Sequence, residues 1–368
     1  MNKSKISYSQ TGVNYDVMDP LKKLAQNAGK QTSQNLLNFN FKEITQSRGE
    51  SAFVWEESDA FRAFVIEGLG TKNLVADDMS KITGKEYYGQ IAQDTVAAIV
   101  NDIITVGAMP QVINAYFGSG GPAWFSDTAR SKALIEGWAK ACNLAGATWG
   151  GGETPGLSGI INPDTLDLVG SCIGIIKPKE RLILGEKLTA GDAILLIESS
   201  GIHANGLSLA RAIAQKLPDG YSAKLSDGTM YGDALLNPSH IYVNLVKDLF
   251  EDGIDIHYMV NITGHGFRKL MRANKDFSYV ITQTPPITPI FDFIQNNSGS
   301  TDEDMYGNFN MGAGFAVYLP PIQVEKAQEI AQKNNLKSWN TGVIQNGPKQ
   351  VIIKDKNVIF GAISLGVR

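Results

Sequence analysis

The chain has 368 residues, 43% hydrophobic and 19% charged, with 33 basic against 37 acidic side chains and a formal net charge of −4. That length and apolar content support two or three cored domains of about 100–200 residues each, and the charge balance gives no whole-chain footprint for nucleic acid. Two cysteines, Cys142 and Cys172, exclude a disulfide framework and a cysteine-rich metal site, leaving each as a small buried hydrophobe.

Residues 1–50 form a polar arm rich in Asn, Gln, Ser and Lys. MNKSKISYSQ lacks the apolar core of a signal peptide, and no apolar run approaches about 18 residues, so a cytoplasmic protein without a membrane partner is expected. Asp19-Pro20 before Leu21, Leu24 and Ala25 reads as a capped helix start. Ser51–Trp55 and Phe61–Glu67 read as two strands joined by the acidic turn Glu56–Asp59. The second strand runs into Glu67-Gly-Leu-Gly-Thr-Lys72. Gly68 and Gly70 let a backbone turn tightly and approach a ligand, Lys72 supplies a charge for phosphate oxygens, and Glu67 is a candidate metal ligand. The alternative is an ordinary turn. The G-x-x-x-x-G-K-[ST] order of a P-loop is absent.

Asn73–Lys85 reads as a loop, with Asn73–Ala76 as an alternative extension of a strand, and Glu86–Val106 as a helix whose apolar positions include Ile91, Val96, Ile99 and Ile103. Asp94 and Asn101 lie seven apart, on one face of that helix. Asn101 and Asp102, enclosed by Val100 and Ile103, cost stability unless they have partners or lie on a solvated edge. Gln111–Phe117 is a strand and Ser126–Ala145 a helix. Gly150-Gly-Gly-Glu-Thr154 is either a backbone bent around a ligand or a flexible turn. Leu166–Ile176 is a strand, ended by Lys177-Pro178. The Gly- and Pro-punctuated, charged stretch 178–190 is a linker dividing a domain at 51–177 from a second at 191–368.

The second half opens on an apolar strand, Asp192–Glu198, buried on both faces. It leads through Ser199-Ser-Gly-Ile-His-Ala-Asn-Gly206 into a helix, Leu207–Gln215. Helix N-termini favour anions, and His203 and Asn205 are the polar groups placed there, although a lone His is more often structural. A helix follows Asn237-Pro238 within Leu235–Phe250, and Ile256–Val260 is a short strand. Thr263-Gly-His-Gly266 opens the helix Phe267–Arg272, a second candidate phosphate cradle. Phe277–Ile281 is a strand and Ile290–Asn296 a helix. Asp304–Gly314 is a Gly- and Asn-rich loop before the strand Phe315–Leu319. Val324–Asn334 is a helix, and Trp339–Ile344 and Val351–Ile353 close the chain as strands.

Taken in order, these loops resemble the phosphoribosylformylglycinamidine cyclo-ligase (aminoimidazole ribonucleotide synthetase) family. The carrying residues are Gly12-Val13, Gly68–Lys72, Val100–Asp102, Gly107-Ala108 with Pro110, and Gly151–Thr154. In the second half they are Ser199–Gly201 with His203 and Asn205-Gly206, Asn237-Pro238 with Ile241–Val243, Ile262–Gly264 with Gly266, and Met305-Tyr306 with Phe309–Gly312 and Gly314. Each is weak alone; their common order over most of the chain is specific.

The resemblance implies a two-domain α/β subunit that works as a homodimer. Its N-terminal mixed sheets would pair into a shared barrel, its C-terminal sheet would carry packed helices, and ATP would bind near the inter-subunit groove. It implies ATP-dependent ring closure of formylglycinamidine ribonucleotide, a small-molecule substrate, to aminoimidazole ribonucleotide with release of ADP and phosphate. ATP and Mg²⁺ are then the cofactors. Mg²⁺ takes one or two carboxylates plus phosphate oxygens, so Asp102, Glu153, Asp94 and Glu67 are the candidate ligands. Gly68, Gly70, Thr71, Lys72, Asn101, Gly151, Gly152 and Thr154 are assigned to the nucleotide. His203, Asn205, Thr263, Gly264 and Gly266 are assigned to the ribonucleotide, with Lys72, His203 and Asp102 as the chemical groups.

The chain departs from the family pattern at four places. Glu67 stands for the usual Asp, His265 for Gly, and Gly307 for Arg; Arg48–Ser51 stands where a Gly-Gly-Phe-Gly-like segment is usual. Two alternatives to the cyclo-ligase remain at this point. One is another ATP-using member of the wider superfamily, such as selenophosphate synthetase or thiamine-phosphate kinase; the other is a non-catalytic nucleotide-binding homologue.

Overall fold

The computed structural model describes residues 15–366. The quoted Gly12-Val13 pair lies outside the described residues. In chain order the helices are α1 (Tyr15–Lys30), α2 (Lys72–Thr83), α3 (Tyr88–Ile103), α4 (Pro122–Ser126), α5 (Thr128–Leu144), α6 (Leu207–Ala214), α7 (Tyr231–Leu235), α8 (Val243–Glu251), α9 (Pro289–Ser298), α10 (Asp302–Asn308) and α11 (Val324–Lys333). The strands are β1 (Lys42–Glu43), β2 (Phe53–Glu56), β3 (Phe61–Gly68), β4 (Met109–Ser119), β5 (Thr148–Glu153), β6 (Leu166–Ile176), β7 (Ala193–Glu198), β8 (Tyr258–Asn261), β9 (Phe277–Ile281), β10 (Ala313–Leu319), β11 (Ser338–Asn346), β12 (Gln350–Ile353) and β13 (Val358–Gly361).

Among the described residues these strands make two mixed sheets. The first has the order β1-β2-β3-β6-β4-β5, antiparallel except for the parallel pair β4–β5. The second has the order β13-β12-β9-β11-β7-β10-β8, antiparallel except for β12–β9. The expected α/β architecture is therefore present, and β1, within the stretch read as an arm, adds to the edge of the first sheet.

Alternation with period two turns one face of β6 inward. Leu166, Leu168, Cys172 and Ile176 are buried there, with Gly170 and Gly174 between them. The glycines leave room for α3: a Cβ on Gly170 would stand 2.5 Å from Ile99 Cδ1 and one on Gly174 3.0 Å from Ile103 Cδ1. So α3 lies close on the sheet, with α5 beside it. On the other face Phe64, Ile66 and Val112 are exposed. Burial pushes the thiols of Cys142 and Cys172 up to about 11 and about 12, as fits two inert core residues. In the second sheet β7 is buried on both faces, between β10 and β11, with α11 against it.

Several expectations are corrected. The stretch 73–85 is not a loop but most of α2, because Val75, Ala76 and Met79 form a buried face that the intervening Asp77, Asp78 and Ser80 disguise. Pro20 lies inside α1 rather than in its first turn. The short helix α7 and the strand β13 were not foreseen, and Asp302–Asn308 is a helix with a Thr301–Asp304 capping box rather than the start of a loop; the helix expected after Asn237-Pro238 is α8.

The chain crosses between the sheets at 177–192, and the crossing is seated on Gly107. This residue has φ +85°, and a Cβ there would lie 1.8 Å from the Arg181 carbonyl oxygen, beside the 3.1 Å hydrogen bond from Ile183 N to Val106 O. Gly107→Ala should therefore lower unfolding stability by at least about 2 kcal/mol, through left-handed strain plus displacement of the crossing. Urea unfolding checks this, and a wild-type midpoint would mean the crossing is not tightly seated.

Candidate functional site

The polar face foreseen on α3 exists, and it grips the irregular segment 237–242 of the second half. Asp94 Oδ1 accepts from Ser239 N at 2.8 Å and from its hydroxyl at 2.5 Å. Asn101 donates to His240 O at 2.8 Å and accepts from Tyr242 N at 2.9 Å. Gln93 donates to Ser239 O at 3.0 Å. Backbone groups with no ladder of their own are thus satisfied by one helix face.

Lys72 completes this clamp. Its ammonium is fully enclosed, 2.7 Å from Asp94 Oδ2 and donating to Asn237 O at 2.9 Å. Burial pulls Lys72 down and pushes Asp94 up; each charge opposes the shift of the other. The expectations that Lys72 meets phosphate and that Asp94 holds a metal are therefore not what the geometry offers. Both residues, with Asn101, are committed to each other and to the backbone.

Above the clamp opens a cavity of about 850 Å³ between the two sheets. Of the residues singled out from the sequence, Glu67, Gly68, Gly70, Thr71, Asp102, Asn205, Thr263 and Gly264 line it. β3 and the turn into α2 deliver the first four, α3 delivers Asp102, and the loop before α6 delivers Asn205. Asn205 Oδ1 accepts from Gly264 N at 3.0 Å, so the two loops read as separate cradles are one structure. Asn261 donates to Asp102 Oδ1 at 2.7 Å. Glu67 is raised to about 8, first by burial and then by the charge of Asp102 and a hydrogen bond with it; Lys269 and Arg272 oppose the shift. Two carboxyls confronted in this way relax when a divalent cation lies between them. On that chemistry Glu67 and Asp102 fit Mg²⁺, although no group of three or more His, Cys, Asp or Glu side chains suited to a metal occurs among the described residues.

Other expected residues lie elsewhere. His203 is buried with φ +57°; its Nε2 accepts from Ser200 N at 3.2 Å, and burial holds its pKa well below the ordinary range. It sits under the loop rather than in the cavity. Gly266 lies behind the wall, where a Cβ would meet Tyr306 O at 2.3 Å. Gly151, Gly152 and Glu153 are not a bent loop but the exposed end of the edge strand β5, with Thr154 just beyond. Gly152 is needed because a Cβ would lie 2.1 Å from Ala115 O on β4. Glu153 is thus distant from the Glu67–Asp102 pair in its own chain.

The sequence reading missed the cavity's cations. Lys269 is buried and donates to Thr263 Oγ1. Arg272 donates to Gly49 O at 3.0 Å and to Ser51 Oγ at 2.9 Å. Lys22 comes from α1. The signal was the spacing of Lys269 and Arg272 just after the Thr263–Gly266 loop, which places both on one side of a helical turn. Gly70 and Thr71 also border a second cavity of about 280 Å³, opposite Asn162, Thr165 and Asp167.

Carboxyls, cations, small-residue loops and a helix start converging between two α/β halves define a two-domain protein that binds anionic small molecules. The comparisons agree. The family models "AIR synthase related protein, N-terminal domain" and "AIR synthase related protein, C-terminal domain" match residues 50–176 and 189–355. The chain is 33% identical over 329 residues to a phosphoribosylformylglycinamidine cyclo-ligase of Methanothermobacter thermautotrophicus, covering 88% of this chain and 91% of that protein. In fold it is similar to the HypE–HypF complex structure (TM-score 0.61, 15% identity, 90% of this chain and 98% of that one). It is also similar to AaThiL complexed with AMPPCP and TMP (TM-score 0.57, 13% identity, 84% of this chain and 89% of that one). The chain belongs to the AIR synthase family.

Lys72→Ala leaves Asp94 a buried, unpaired charge and should cost about 3–5 kcal/mol of stability. Denaturant unfolding checks it; a loss below about 1 kcal/mol would mean the pair is not structural. Glu67 gives a pH signature. Its folded pKa, about 8, lies above its ordinary 4.5, so its contribution is complete below 4.5 and is lost as pH rises through 8. Glu67→Gln should flatten that loss in cation-free protein unfolded at about pH 5, 7 and 9. Parallel wild-type and variant profiles would show that Glu67 ionises normally.

Proposed function

We propose that the chain is an ATP-dependent cyclo-ligase that converts formylglycinamidine ribonucleotide to aminoimidazole ribonucleotide, releasing ADP and phosphate, in cytoplasmic purine biosynthesis. The observation that carries the reading is the Gly68–Thr71 turn. Its Gly70 and Thr71 form the wall shared by two cavities, the larger holding the carboxyl pair and the cations. A phosphoryl group passing between two substrates needs such a shared boundary. The identity to relatives named as cyclo-ligases supports the substrate class. Among the described residues no helix is long and apolar enough to cross a membrane. The division into domains at 51–177 and 191–368 belongs to the same reading, supported by the spans the family models match.

A formyl oxygen is a poor leaving group. Transfer of the γ-phosphoryl group of ATP to that oxygen gives an iminophosphate and ADP. The amidine nitrogen then attacks the same carbon, and the C–O bond breaks to release phosphate. Bound Mg²⁺ would supply charge neutralisation for the phosphate oxygens. This chain's own residues bind and orient. Glu67 and Asp102 would hold the cation, with Asn261 fixing the Asp102 rotamer. Lys269, Arg272 and Lys22 would neutralise phosphate charge, and the Asn205–Gly264 contact would seat the ribose phosphate at the start of α6. Lys72, Asp94 and Asn101 act as positioning residues, holding the two halves in register. Orientation for intramolecular attack can replace about 7–11 kcal/mol of barrier.

The homodimer belongs to the same reading. The outer face of the first sheet, with Phe64, Ile66 and Val112 exposed, is the surface a second copy would cover. Gly151, Gly152, Glu153 and Thr154, exposed at the sheet edge, would then meet nucleotide in the groove between copies.

ADP release with formylglycinamidine ribonucleotide tests the reading, and no substrate-dependent ADP would reject it. Asp102→Asn should lower turnover by about two orders of magnitude while the unfolding midpoint stays near wild type. Full activity in that variant would remove Asp102 from the site.

A further inference from the structure

We infer that α1 is a strap over the larger cavity and that His265, acting through Asp19, is the latch that holds it closed. The inference deepens the cyclo-ligase reading, since the cavity it closes is the one assigned to the ribonucleotide.

The helix brings Met18, Lys22, Ala25 and Gln26 to the cavity wall. Helices in proteins are usually held by an apolar face packed on a core. In α1 the large apolar side chains point outward instead: Val17, Leu21 and Leu24 are each about two-thirds exposed. Among the described residues, polar contacts tie it to the body near both ends. Near its end, Arg48 donates to Gly29 O at 3.3 Å while anchored on Glu43 of β1 at 2.6 and 2.7 Å. Near its start, Asp19 is buried, with Oδ2 3.3 Å from His265 Nε2 and Oδ1 bonded to Lys22 at 2.9 Å. Gly366, at the other end of the chain, closes against the same carboxylate, where a Cβ would lie 2.8 Å from Oδ2. Pro20, directly after Asp19, removes one helical hydrogen bond beside the latch.

His265 itself carries the argument. Its backbone has φ +68°, a conformation that penalises a side chain and suits glycine. The imidazole therefore stands where the backbone disfavours any side chain, and its contact with Asp19 joins the cavity's phosphate loop to the helix across it. Burial keeps the ring neutral at ordinary pH, its pKa held down to about 4, so the latch is an imidazole N–H donating to a carboxylate and not a titrating ion pair. Closing α1 presents Lys22 to the cavity, and the Lys22–Asp19 bond couples that presentation to the latch. His265 is thus a positioning residue for substrate capture.

Hydrogen–deuterium exchange on the unliganded full-length protein tests the latch, comparing wild type with His265→Gly and Asp19→Ala. Amides of α1 should exchange about tenfold or more faster in both variants, with α6 and the sheets unchanged. His265→Gly should melt at or above the wild-type temperature, because the left-handed strain is gone. Its KM for the ribonucleotide should rise more than its kcat falls. Unchanged α1 exchange in either folded variant overturns the inference. So does a lower melting temperature of His265→Gly with exchange raised throughout, which would mark His265 as an ordinary packing residue. The exchange readout needs no substrate, so it stands or falls separately from the assigned reaction.

Discussion

The buried pairing of Lys72 with Asp94 is the constraint on which the site rests. The two residues come from successive helices of the first half, and both also bond to the 237–242 segment of the second. A charge pair removed from water is poor evidence for stability in general, because desolvation offsets the Coulombic gain. Here the pair is also bonded to the Asn237 carbonyl and to the Ser239 amide and hydroxyl, which ties both side chains to the second half. That fixes the angle between the sheets. The cavity is composite, with Glu67 and Asp102 on one side and Asn205, Gly264 and Lys269 on the other, so it keeps its shape only while the clamp does.

The clamp explains why the carboxyl pair can be left in tension. Burial and the charge of Asp102 disfavour ionisation of Glu67, and Lys269 is drawn into the same space with its own charge disfavoured by burial. Such a cluster is costly in the free protein. It persists because β3, α3 and the Thr263–Gly266 turn are each held by contacts outside the cavity. A site built this way gains when anionic ligand and divalent cation arrive together, since each cancels a charge the other would leave exposed.

Much of this was legible in the chain. β6 and β9 fall on their expected residues because strict apolar runs leave little choice of face. α3 was legible from its period, and the seven-residue spacing of Asp94 and Asn101 correctly put them on one side. What that side faces could not be read, because the partner segment lies about 140 residues away in sequence and offers main-chain atoms, which carry no residue signature. The same gap explains Lys72. A lysine after two glycines is chemically right for phosphate, and only the fold shows its ammonium turned inward. Gly150–Glu153 misled for a different reason: glycine serves close strand pairing as readily as a turn, and the neighbouring strand decides which.

The departures from the family pattern converge instead of scattering. Glu67, His265 and Gly49–Ser51 all line the larger cavity. Gly307 is the instructive exception. A Cβ there would lie 2.7 Å from Arg268 Nη2 and 3.0 Å from its Cζ, and that guanidinium stacks 5.0 Å over the Phe360 ring. The space that an arginine at 307 would open from is thus filled by an arginine arriving from the turn after the Thr263–Gly266 loop. Arg268 places a guanidinium beside Gly307. Glu67, from β3, reaches Asp102 and shares a hydrogen bond with it. Glu67 and Lys269 face the larger cavity, whereas Gly307 and Arg268 lie outside its lining, so of the departures at 67 and 307 only the first bears directly on the site.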